Sequence, residues 1–225
     1  MSKISSDKTL SFFNKNHFLI LLFVAVIIKQ LPFLSIPFNW LESYFHEISH
    51  GIAAVVTGGS ILRIQLFSNG AGLCTTHGGL GFIIGFAGYA GATFWGWAIY
   101  QFSSAHQRIA QGFSLFVLVL IISSIAFWGR DLLTWFILGV LATLFLLTIK
   151  LKKLRYLQLL MQLFGLLILL NSLSSPSYLL DGRSLGDGAA LASMTFIPEL
   201  VWILIWFLLA IIALYSLYKS SKSHQ

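Results

Sequence analysis

The sequence predicts an all-α polytopic membrane protein, with about six to seven membrane helices and a short β-hairpin after the helix that carries an HExxH run. Three observations predict it. The 225 residues are 57% hydrophobic and only 9% charged, with a mean hydropathy of +0.86, whereas charged residues make up about a quarter of a soluble domain. Apolar runs of span length, about 20 residues each, follow one another almost from end to end. One stretch, 61–76, alternates instead, as a strand pair does.

Taken in order, a polar tail (1–16) with Lys3, Lys8 and Lys15 precedes the apolar run His17 to Phe38. That run has the order of a signal peptide without a small-residue cleavage site, so it reads as an uncleaved anchor, interrupted by Lys29, Pro32 and Pro37. Asn39 to Thr57 forms the next helix, with Asn39 as its cap and Gly58-Gly59 as its stop. It is apolar except at Glu42, His46, Glu47 and His50. In the alternating stretch, Leu62, Ile64 and Leu66 take one face and Arg63 and Gln65 the other, and Asn69-Gly70 supplies the turn. Further spans are Leu80 to Phe102, Ile109 to Trp128, Leu132 to Ile149, Tyr156 to Leu173 and Phe196 to Tyr218, before a polar tail (219–225). Gly81, Gly85, Gly88, Gly91 and Gly96 in the first of these predict close approach of another backbone. Between Ser172 and Pro198 lies a turn-rich, half-apolar interruption that can dip into the membrane if protein shields it. The chain reads as a single integral membrane domain, 1–225.

Charge placement qualifies this count. If all seven apolar segments crossed, the N-terminal lysines would face the opposite side from Lys150, Lys152, Lys153 and Arg155, against the positive-inside rule. One segment is therefore expected not to cross fully. The net charge of +7 is scattered over segment ends with no basic stripe, which excludes nucleic acid as a partner and points to topology and lipid contact. Cys74 is the single cysteine, so an intramolecular disulfide, a CxxC redox pair and a cysteine-built zinc ribbon are excluded. Any metal must be held by His and carboxylate.

Only seven acidic residues occur, so each carboxylate at membrane depth is a functional candidate. His46-Glu47-Ile48-Ser49-His50 is an HExxH run in a helical, apolar segment, and the i, i+4 spacing puts both imidazoles on one face where they can share an ion. This composition gives roughly 0.002 chance occurrences of that run. Burying three ionisable groups at the centre of a span costs about 2–3 kcal/mol each unless a partner such as a divalent cation compensates. Zinc in such a setting acidifies water and polarises a carbonyl, and the adjacent Glu47 can take the water's proton, giving amide hydrolysis.

The run HEISHGIAAVVTGGSILRIQLFSNGAGLC, His46 to Cys74, resembles the M50 group of intramembrane zinc metalloproteases, most closely its compact M50B-like, site-2-protease-related branch. LGDGAALASMTFIPELVWILIW, Leu185 to Trp206, and the glycine-rich FAGYAGATFWGW extend the likeness to about a third of the chain. The resemblance implies a peptidase-like domain that cuts membrane-protein substrates within or beside the lipid bilayer, using Zn2+ held by two His and one Asp. The expected location is the bacterial inner (plasma) membrane, multi-pass.

A catalytic zinc keeps three protein ligands and an open position, and two aspartates compete for the third place. Asp181 ends Pro176-Ser-Tyr-Leu-Leu-Asp-Gly182, which resembles the family's Pro-x-x-x-Leu-Asp-Gly element, with Asn171 upstream in the place of its substrate-positioning Asn at a longer spacing. Asp187 heads the second matching run, where its alternative role is a helix cap. The sequence favours Asp181 narrowly. Asn69 and Gly70 are candidate substrate-positioning residues, because a strand edge there would hold an extended peptide with its carbonyl exposed. Glu42, one turn before His46, reads first as an interfacial carboxylate and second as an acceptor orienting the His46 ring. His77 and His106 read as interfacial, Arg130, Asp131 and Arg183 as span-end charges, and Cys74 as a small apolar residue. Against the zinc endopeptidase stand a non-proteolytic metal-binding scaffold and a cation transporter. Glu47 is superfluous to a scaffold, and a transporter's ionisable residues recur across several spans, which these do not.

Overall fold

A computed structural model describes residues 16–183 and 185–223. Among them are eight α-helices, one 3-10 turn and one hairpin. Helix α1 (His17–Gln30) meets α2 (Pro32–Val56) at a bend of 105°. The cause is local: Leu31 precedes a proline and is driven to extended backbone (φ −93°, ψ 107°), while Pro32 needs no N–H partner at the first position of a helix. α2 therefore starts seven residues before the expected cap, and Asn39 lies inside it. The stop is as expected: Gly58 takes φ +89°, a left-handed conformation that favours glycine, and the Gly59 amide donates to Ala54 O at 2.7 Å.

The hairpin pairs β1 (Ser60–Leu66) with β2 (Gly72–His77) in antiparallel register, Ile64 opposite Cys74 and Leu66 opposite Gly72. A bulge between Ile61 and Arg63 corrects the expected face. Ile64 and Leu66 are buried, but Leu62 is exposed, and Ile61 takes its place by packing on Gly51 of α2. The outer edge of β1 is occupied: Ile64 N donates to Trp128 O at 3.0 Å, and Leu66 N to Thr134 Oγ1 at 3.0 Å. Arg63 pairs with Asp131 at 3.1 Å. Partial burial acts to raise the Asp131 pKa, but the Thr134 amide it caps and the Arg63 guanidinium prevail and hold it below the usual carboxylate range.

The remaining helices are α3 (Gly81–Ala105), α4 (Gln107–Phe127), α5 (Leu132–Ile149), α6 (Leu154–Ser174), α7 (Asp187–Thr195) and α8 (Glu199–Ser223), with the 3-10 turn Ser175–Asp181 following α6. The central core joins Leu41, Phe45 and Ile48 of α2 to Trp95 and Ile99 of α3, Ile121 of α4, Phe145 of α5 and Ile168 of α6. Helices α3 and α6 touch backbone to backbone where Gly96 meets Gly165, since a Cβ on Gly165 would lie 2.7 Å from Gly96 O. Among the described residues five helices, α3, α4, α5, α6 and α8, are long and apolar enough to cross a membrane, and the bent pair α1–α2 brings the number to six if it counts as one span. Their outward faces present large apolar side chains such as Phe136, Leu147, Leu208 and Ile211, which a lipid solvent covers. The chain is an integral, multi-pass membrane protein. Counting α1–α2 as one crossing removes the charge conflict, because the Lys150–Arg155 cluster then falls on the side of the N-terminal lysines.

Candidate metal centre

His46 and His50, one turn apart on α2, bring their Nε2 atoms within 3.0 Å of each other. The carboxylate Oδ2 of Asp187 completes a triangle, 3.0 Å from His46 Nε2 and 3.3 Å from His50 Nε2. Asp187 is the first residue of α7, and the cap position before it is Gly186, so its carboxylate is not spent on capping. The chain arrives there through Gly182 (φ +78°) and Gly186 (φ +98°). Packing then fixes α7: Leu191 is fully buried, lies against Gly85 of α3, and belongs to a cluster with Tyr89, Trp202 and Trp206.

Asp181, the other aspartate, closes the 3-10 turn, and its side chain lies outside what the structure describes. Asn171 is buried in the last turn of α6, where its carbonyl accepts from the Ser175 hydroxyl at 2.9 Å. Asn69 and Gly70 sit at the hairpin turn, with Asn69 Oδ1 accepting from Ala71 N at 3.1 Å, and are not part of the His–Asp group. Glu42 is buried within the protein, only 7% exposed. His77, Arg130 and Arg183 are exposed, and His106 caps α4 by accepting from Arg108 N at 3.1 Å.

Glu47 is 5% exposed and lies beside the triangle without entering it. Its carboxylate faces β2: a Cβ on Gly72 would come 2.5 Å from Oε1, and the Cys74 backbone amide donates to the carboxylate. Burial, with the Glu47 charge adding to it, pushes the Cys74 thiol up to about 12, so Cys74 stays a neutral thiol. Three residues adjoining the group carry no signal that the sequence reading turned into a site: Gly72, Gly88 and Tyr89. A Cβ on Gly88 would stand 2.5 Å from His50 Nε2 and 2.6 Å from His46 Nε2, so a glycine hydrogen is all that fits there. Tyr89 sets its ring against His46 (centroids 4.4 Å apart, interplanar angle 84°) and against Trp206 at 4.6 Å.

The donor set fits a divalent metal. His50 Nδ1–H donates to Ile84 O at 2.7 Å, which leaves the Nε2 lone pair free for a ligand bond. Metal–donor bonds of about 2.0–2.2 Å give a tetrahedron with edges of about 3.3–3.6 Å, so the triangle has to open by only a few tenths of an ångström.

The family model that matches this sequence is Peptidase M50B-like, over residues 18–217. The chain belongs to the Peptidase M50B-like family. No curated protein and no solved structure matches it. The match runs from α1 almost to the end of α8, so the hairpin, the His–Asp triangle and the spans α3 to α6 lie within the M50B-like region. Membership implies a peptidase acting on proteins of the membrane in which it is embedded.

Proposed function

We propose that this M50B-like protein is a zinc-dependent intramembrane endopeptidase in which His46, His50 and Asp187 hold the metal and Glu47 is the general base. The observation that carries this reading is the triangle of Nε2, Nε2 and Oδ2 atoms with a buried carboxylate next to it that is not one of its corners. Asp187 replaces Asp181 as the favoured ligand because its carboxylate reaches both histidines. When bound, zinc supplies Lewis acidity that polarises the scissile carbonyl and lowers the pKa of water.

The residues of the chain do the rest. Glu47 takes a proton from the attacking water as its oxygen bonds to the acyl carbon, then returns that proton to the amide nitrogen as the C–N bond breaks. The Cys74 amide keeps the Glu47 carboxylate aimed. β2 pairs only with β1 among the described residues, so its other edge, apart from the Cys74 amide that Glu47 takes, is available to an unwound substrate segment, with Asn69 and Gly70 fixing the turn that starts the strand. Asn171 sits at the base of the loop leading to Asp187 and is the remaining candidate for contact with substrate. A burial-matched pocket for Glu47 favours the enzyme over a scaffold, which would gain nothing from a buried carboxylate without a role.

Metal content and cleavage test this together. Purified wild type should carry one zinc per chain, and Asp187→Asn should lose it while Asp181→Asn keeps it. Glu47→Gln should keep the metal and lower cleavage of a membrane-protein substrate by about a hundredfold or more. Full zinc in Asp187→Asn, or wild-type cleavage by Glu47→Gln, would overturn the assignment.

A further inference from the structure

The two histidines of the triangle are not supported alike. His50 has its Nδ1–H bonded to Ile84 O at 2.7 Å. Among the described residues, the hydrogen-bond contacts of the His46 ring all run through Nε2, toward His50 and Asp187. If Nε2 is to be a ligand atom, the proton of a neutral ring sits on Nδ1, and that N–H needs an acceptor.

One buried acceptor lacks a donor nearby. Glu42 Oε1 has no hydrogen-bond partner among the described residues, in a side chain that is more than nine-tenths buried. A carboxylate so placed is costly unless something pairs with it. The nearest cation does not: Lys29 Nζ donates to Leu170 O at 2.6 Å and to Ser174 Oγ at 2.5 Å, tying α1 to the end of α6. Glu42 stands four residues before His46 on the same helix, hence on the same face. Helical side chains lean toward the N-terminus, which brings the His46 ring over the turn that carries Glu42. The His46 Nδ1–H and Glu42 Oε1 are therefore a complementary donor and acceptor, one helical turn apart.

We infer that Glu42 is a positioning residue of the metal centre: its Oε1 accepts the His46 Nδ1–H, directly or through one water, and fixes both tautomer and ring angle. The Ser175 hydroxyl lies beside the same carboxylate, but its proton goes to Asn171 O at 2.9 Å. This rests on the reading of His46 as a metal ligand. It makes the two imidazoles unequal ligands, one backed by a neutral carbonyl and one by a carboxylate, which raises the basicity of His46.

The test is zinc affinity in detergent, by competition with a chromophoric chelator, in wild type, Glu42→Gln, Glu42→Met and Ser175→Ala. Glu42→Met removes the acceptor and should weaken zinc binding by about 10- to 100-fold. Glu42→Gln keeps the volume and an acceptor oxygen and should weaken it less, and Ser175→Ala should change it little. In the zinc-loaded wild type the nitrogen resonance of His46 should report a protonated, strongly hydrogen-bonded Nδ1, and Glu42→Gln should shift it while leaving His50 unmoved. The resonance decides the matter even if Glu42→Met does not fold. Wild-type affinity in Glu42→Met, an equal loss in Ser175→Ala, or an unmoved His46 resonance would overturn the inference and leave the protease reading standing. A wild type that binds no zinc would remove both.

Discussion

In the first half of α3, Gly88 faces the Nε2 atoms of His46 and His50, and two turns further on Gly96 faces the backbone of α6. Both glycines exclude a methyl group, yet what the methyl would strike differs. At Gly88 it meets the tips of two side chains, which can rotate away. At Gly96 it meets Gly165 O and Leu169 N, each 3.0 Å off, and a helix backbone cannot yield without separating the pair. One residue type thus lies against the His–Asp group at one level of a helix and against a neighbouring backbone at another, and only the neighbouring atoms tell the two apart.

The sharpest way to break that distinction is Gly88→Ala. The imidazoles should swing aside with the fold intact, so zinc affinity should fall by at least about a hundredfold and activity with it, while the thermal midpoint of the metal-free protein stays near wild type. Normal zinc binding with a lowered midpoint would make Gly88 a packing residue like Gly96. Gly72→Ala comes next. Its methyl would displace the Glu47 carboxylate, so cleavage should drop by about a hundredfold with zinc retained. Loss of metal there would mean that the hairpin shapes the ligands and not the base. The mildest change is Gly165→Ala, where overpacking should cost about 1–3 kcal/mol of stability, read from thermal unfolding, with zinc content unchanged. Altered zinc in that variant would show that the two ends of α3 are coupled.

Much of this was open to reading in the sequence, and the exceptions have physical causes. The glycine spacing of α3 announces close approach, because nothing but a short contact explains five small residues in one apolar span. It does not announce what approaches, since a histidine tip and a carbonyl oxygen leave the same trace. The alternation of Leu62, Ile64 and Leu66 fails at Leu62 because a bulge inserts one residue into the count. Asn39 has the chemistry of a cap, but Pro32 starts the helix earlier and overrides it. The sequence favours Asp181 narrowly over Asp187, since each adjoins a glycine in a turn-rich loop. What brings Asp187 to the histidines is the path through Gly182 and Gly186 and the docking of Leu191, and a long-range contact of that kind has no local signature. The burial of Glu42 has no local signature either, because a carboxylate near a helix start reads the same whatever packs over it.

The triangle also has a consequence for biogenesis. His46 and His50 come early in the chain and Asp187 late, with more than half of the sequence between them. At about 5–20 residues per second, a growing chain spends on the order of ten seconds in the membrane with both histidines made and their carboxylate partner still unsynthesised. During that interval the His–Asp triangle has two of its three corners, so anything that needs all three can form only after α7 has been made and docked.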